Sequence, residues 1–191
     1  MFYGFLSPVA TYLAADPAVD GFGYAFGPEG ISIAQTVITL CTVLAAVVLP
    51  VVLKKIHPKP ALLLGFALAL VAFVQWTLPG ASLVKVGLFV ALVGLGIGII
   101  AAAIPVIIPS RATVETRGIA TGLFNSAQTL GGALGGGLFV SLLKVGATPA
   151  GVITETGYTT VWITCGLFML IGLVVVTVFL TKDKEPAQGG E

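Results

Sequence analysis

The chain has 191 residues, of which 57% are hydrophobic and 9% charged, with a net charge of +1 and a mean hydropathy of +1.09. Soluble domains carry about 25% charged residues, so a water-soluble core is excluded, and the lack of a basic patch excludes nucleic acid as a partner. The single histidine and the two cysteines, Cys41 and Cys165, form no zinc or haem ligand set, so neither a metal nor a cofactor is expected.

The N-terminal MFYGFLSPVATYL has no basic region ahead of its apolar residues, so it does not read as a cleaved signal peptide. At about 1.5 Å per residue it reaches about 20 Å, too short to span a bilayer. It is expected to be the outer half of a helix whose inner half is missing, or else a re-entrant or interfacial segment. After it come charge-free runs at 30–53, 60–84, 86–110, 118–143 and 156–181, each holding the roughly 20 residues that a membrane-crossing helix needs. The expected fold is therefore all-α and integral to the membrane. Five full transmembrane helices at about 31–53, 60–79, 86–109, 118–143 and 159–181 join a partial one at 1–14. Residues 1–181 form the transmembrane half-bundle and 182–191 a tail.

Threading the spans alternately puts Lys54, Lys55, Lys59, Arg111, Arg117, Lys182 and Lys184 on one side, and Lys85 and Lys144 on the other. The positive-inside rule then places the C-terminus in the cytoplasm, and the chain is expected to be a multi-pass protein of the cell membrane. Trp76, Tyr158 and Trp162 fall at the opposite, outer ends, where amphipathic rings favour the headgroup level.

Helical positions advance by about 100° per residue, which defines the faces. On the first full span, Ser32, Gln35, Thr39, Thr42 and Ala46 form one stripe. The second and fifth spans are apolar almost all round, as suits helices facing lipid. The third carries Gly87, Ala91, Gly94, Gly98 and Ala101 on one face and continues to Pro105, which removes a backbone bond and should kink it. On the fourth, Gly118, Thr121, Gly122, Asn125, Gln128, Thr129, Gly132, Gly135 and Gly136 share an arc of about 140°, opposite Ile119, Leu123, Leu130, Leu134 and Leu138. A phosphate loop would need a preceding strand and a terminal lysine, and this stretch has neither. The first, third and fourth full spans thus read as central, the second and fifth as peripheral.

Small-xxx-small spacing commonly reflects close helix packing. An amide in hydrocarbon needs partners or water, so Gln35, Asn125 and Gln128 either bond between helices or line a wet cavity. No Asp, Glu, Lys, Arg or His lies in the middle of a span, which leaves this chain without its own proton relay. No Ser/His, paired-acid or metal constellation appears in the spans, so the chain does not read as an enzyme.

Three stretches carry a family resemblance. RGIATGLFNSAQTLGGALGGGLFVSLL, from Arg117, resembles the penultimate helix of major facilitator superfamily transporters, in their drug-efflux branches. LKKIHPKPALLLG (53–65) is similar to the second copy of that family's signature loop, although the loop's Gly and Asp are replaced by Leu53, Lys54 and Lys55. TYLAADPAVDGFGYAFGPEGISIA (11–34) resembles the outer turn of the family's C-terminal half. The resemblance implies a half-bundle of two inverted three-helix repeats. It also implies a missing N-terminal half, on the same or a separate chain, as partner alongside the lipid bilayer.

The expected function is the C-terminal half of a secondary transporter exporting small lipophilic or drug-like solutes by alternating access. Gln35, Thr39, Thr42, Asn125, Gln128 and Thr129 would contact the substrate. Helix packing and gating would fall to Gly94, Gly98, Pro105, Gly118, Gly122, Gly132 and Gly136, with Arg111, Glu115 and Arg117 anchoring the gate loop. Coupling to protons would reside in the missing half. The alternative is a non-transporting membrane subunit or channel-like scaffold that oligomerises through its glycine faces.

Overall fold

The computed structural model describes residues 4–53, 58–78, 80, 82–110, 113–148 and 151–179. Lys54, Lys55, His57, Arg111 and the 182–191 tail lie outside them. The order is α1 (Leu6–Ala14), α2 (Pro28–Leu53), α3 (Pro58–Thr77), α4 (Leu83–Ser110), α5 (Arg117–Leu143) and α6 (Glu155–Phe179). No strand occurs among the described residues. The last five helices are long and apolar enough to cross a membrane, as the charge-free runs predict.

Four of these helices start a few residues before their expected positions, for local reasons. Pro28 and Pro58 open α2 and α3, where the fixed φ of proline suits the first turn and its missing N–H costs nothing. The hydroxyl of Ser82 accepts the N–H groups of Val84 (3.1 Å) and Lys85 (3.4 Å), capping α4. Glu155 puts a carboxylate in the first turn of α6, which the helix dipole favours. α4 continues through Pro105 to Ser110.

α4 lies between α2 and α3, and α3 also packs broadly against α6. Its position rests on bare backbone. A Cβ added to Gly94 would sit 2.6 Å from the carbonyl oxygen of Ile38, and one on Gly98 2.5 Å from that of Thr42, so α2 touches this edge directly. On the opposite edge a Cβ on Gly96 would lie 2.7 Å from the oxygen of Gly65 on α3.

Within this chain 39% of the most apolar stretch of α3 is buried against only 11% of that of α5. The reason is geometric: all-round apolar helices can pack on two neighbours, whereas α5 has only its C-terminal part covered. Phe139 and Gly135 of α5 are buried, while most of Arg117–Leu134 is exposed.

The core has two parts. The larger gathers Phe5, just before α1, and Val9 and Leu13 of α1 with Phe73, Trp76, Phe89, Tyr158 and Trp162. The smaller, at the other end, holds Leu49, Ala61, Leu62, Ala103 and Val176. Trp76 and Trp162 are therefore not headgroup anchors within this fold. They are 4% and 2% exposed, because α1 and the connection after it fold over them. That connection is fixed by the N–H of Ala25 donating to Ala15 and that of Phe26 to Leu13, both at 2.8 Å.

The two kinds of glycine should respond oppositely. Gly98→Val forces α2 and α4 apart and should destabilise the chain by about 1–3 kcal/mol, the range for overpacking. A Cβ at Gly118 meets nothing within 4 Å, so Gly118→Ala should stabilise by about 0.5–1 kcal/mol. Unfolding of each variant in the same detergent checks both signs.

Candidate functional site

The polar stripe of α2 is largely self-satisfied. The hydroxyl of Ser32 donates to the carbonyl of Pro28 (2.7 Å) and that of Thr39 to Gln35 (2.9 Å), the usual behaviour of hydroxyls within helices. Thr42 shares its hydroxyl proton between Ile38 (2.8 Å) and, across the helix interface, Gly94 (3.1 Å). The close approach at Gly94 brings that carbonyl within reach. Gln35 is half-buried and Thr39 exposed.

α5 differs. Thr121 and Thr129 donate to the carbonyls of Arg117 and Asn125, each at 2.9 Å. The amides of Asn125 and Gln128 are exposed and make no hydrogen bond to the described residues. Both face a cleft of about 220 Å³ between α4 and α5, walled by Ala101, Pro105 and Ile108 on one side and Thr121, Phe124, Asn125 and Gln128 on the other. Asn125 also borders a shallow open surface along α5 with Ser126, Thr129, Leu130 and Ala133.

The structure therefore brings Asn125 and Gln128 together with Pro105, and sets Thr129 on the adjoining surface. Gln35, Thr39 and Thr42 line neither region. Thr121, Phe124 and Ile108 join the cleft without having been singled out as site residues. Thr121 was legible as a member of the same polar arc; the apolar wall was not, because it needs the register of α4 against α5. A Cβ on Gly122 or Gly136 meets nothing within 4 Å, as at Gly118, and Gly132 is half-buried.

Arg117 opens α5 and is exposed. The expected Arg111–Glu115 pair involves a residue outside those described. The carboxyl of Glu115 is held below the usual carboxylate range by its own backbone N–H and then by the hydroxyl of Thr113.

Five apolar membrane-length helices, with two amides on a cleft between α4 and α5, define a multispan helical membrane protein. The sequence model of the Major Facilitator Superfamily matches residues 1–191, and the chain belongs to that family. No curated protein matches it in sequence. Its fold is similar to the crystal structure of the nucleoside transporter NupG, with a TM-score of 0.73 at 15% identity, covering 92% of this chain and 47% of that one. It is also similar to the peptide transporter POT in complex with alafosfalin, with a TM-score of 0.69 at 19% identity, covering 95% of this chain and 35% of that one. The chain spans less than half the length of either.

The hydroxyls of α2 give a direct comparison. Thr42→Val removes a bond between helices and should cost about 0.6 kcal/mol, the average for such bonds in membranes. Thr39→Val removes only a bond to its own helix and should stay within about 0.5 kcal/mol of the parent. Thermal unfolding of the two isosteric variants separates them.

Proposed function

We propose that this chain acts as the C-terminal half of a secondary transporter that exports small lipophilic or drug-like solutes by alternating access. The observation that carries this reading is the pair of unbonded amides, Asn125 and Gln128, on a cleft whose other walls are apolar. Such a wall suits a solute with an oily body and one or two neutral polar groups. The solved transporters of similar fold are named for nucleosides and for peptides, and this wall offers no charged side chain to solutes of that polarity. The middles of the spans carry no Asp, Glu, Lys, Arg or His, so an antiport mechanism would draw its coupling proton from a site on the N-terminal half. In that arrangement the two halves rock about a midplane site, and the exposed face of α5 meets the N-terminal half. Such an exporter would sit in the plasma membrane, and the excess of lysine and arginine on one side argues for a cytoplasmic C-terminus.

The open backbone at Gly118, Gly122 and Gly136 favours one other reading, a scaffold that self-associates through α5. Gly122→Cys distinguishes the two, since self-association predicts a disulfide-linked homodimer and a transporter half does not.

In a complete transporter containing this half, reconstituted in proteoliposomes, Asn125→Leu should lower efflux about three- to tenfold, the equivalent of one hydrogen bond worth about 0.5–1.5 kcal/mol. With Cys41 and Cys165 replaced by alanine, Asn125→Cys should react with a membrane-impermeant thiol reagent and be protected by substrate. Full efflux in a normally inserted Asn125→Leu protein would eliminate the cavity role.

A further inference from the structure

Among the described residues, two buried side-chain polar atoms have no hydrogen-bond partner, Nε1 of Trp76 and Nε1 of Trp162. An indole N–H can only donate, so both lack an acceptor. The two rings line the same cavity of about 320 Å³, at the end where α3 finishes and α4 and α6 begin. It is separate from the α4–α5 cleft and shares no residue with it.

The other walls are chemically mixed. Lys85 and Glu155 both line this cavity. Lys85 bonds through its ammonium to the carbonyls of Leu78 and Gly80, the latter at 3.2 Å, and sits 5.9 Å from the centre of the Trp76 ring. No hydrogen bond or ion pair to it from Glu155 exists among the described residues. Opposite charges thus share one small space without touching each other. Tyr12, Phe22 and Tyr24 supply ring surface: Tyr12 stacks on Phe22 with centroids 5.6 Å apart and meets Trp76 at 5.8 Å and Trp162 at 6.0 Å.

We infer that this cavity is a binding site for a small zwitterion carrying an aromatic ring. The carboxylate of such a solute faces Lys85, its ammonium faces Glu155, and its ring enters the aromatic wall, where edge and offset contacts are favourable. The volume lies at the small end of the range for ligand pockets. This inference does not rest on the transport reading, and it is tested by binding alone.

The chain contains only two tryptophans, and both lie at the cavity, so intrinsic fluorescence excited beyond the absorption of both phenylalanine and tyrosine reports on this site alone. The full chain in phosphatidylcholine nanodiscs is titrated with L-phenylalanine, 3-phenylpropanoate, phenethylamine and L-alanine. A saturable change in emission is expected with L-phenylalanine, with binding about tenfold weaker for each probe lacking one charge and none measurable for L-alanine. Glu155→Gln should bring L-phenylalanine down to the affinity of 3-phenylpropanoate while leaving the latter unchanged or tighter. Trp76→Phe and Trp162→Phe each keep one reporter and a ring wall, and each should still give a saturable response to L-phenylalanine. No saturable response to L-phenylalanine would overturn the proposal, as would equal responses to all four probes or a Glu155→Gln protein that still prefers the zwitterion.

Discussion

The close approach of α4 to both its neighbours is the contact on which the rest of this half-bundle depends. In a bilayer, apolar surface gains little by leaving lipid for protein, so helices associate through van der Waals contact and a few polar bonds. That contact is strongest where side chains are absent. Gly94 and Gly98 are about 40° apart around α4 and Gly96 lies about 160–200° from them, so the helix is thin on two opposite edges. One edge meets the backbone of α2 at Ile38 and Thr42, the other that of α3 at Gly65. The Thr42 hydroxyl reaches Gly94 because the backbones are already this near. α6 then joins through α3, and α1 caps the aromatic end with Val9 and Leu13.

α5 obeys a different logic. It contains seven glycines between 115 and 137, each costing about 0.5–1 kcal/mol relative to alanine within a helix. Gly118, Gly122, Gly131, Gly136 and Gly137 have nothing within 4 Å of where a Cβ would be. At these five positions nothing among the described residues offsets that cost. The helix is fixed instead at its C-terminal end, where Phe139 enters the core and Gly157 of α6 packs against the carbonyl of Leu143. Composition shows a glycine-rich helix, and only coordinates separate glycines that meet a neighbour from glycines that meet nothing.

Much of this was legible in the sequence. Charge-free runs located the five long helices because a hydrocarbon layer imposes length and apolarity together. The arc containing Asn125 and Gln128 followed from helical geometry within one element. What failed to be legible involved two elements at once. The stripe from Gln35 to Thr42 looked equivalent to that arc, yet Thr42 turns into the α4 interface and Gln35 and Thr39 lie away from the α4–α5 cleft. Gly96 and Gly65 went unnoticed because their pairing depends on the register of α3 against α4. Trp76 and Trp162 looked like headgroup anchors because each helix was weighed against lipid, whereas the connection at 15–27 turns back and covers them.

The polar features of the fold are arranged along α4 rather than gathered in one place. Lys85 stands in its first turn and Pro105 near its last, about 30 Å apart at 1.5 Å per residue. A solute at one end touches nothing at the other, so any communication must pass through movement of the helix itself. α4 is held on two edges by backbone contact with α2 and α3, and cannot shift without carrying both. α5 is held mainly at one end and has no such restraint along 117–134. The α4–α5 cleft therefore lies between a rigid wall and a compliant one. The width of the opening that Asn125 and Gln128 face is set by whatever covers the free side of α5, not by the packing that holds the other helices together.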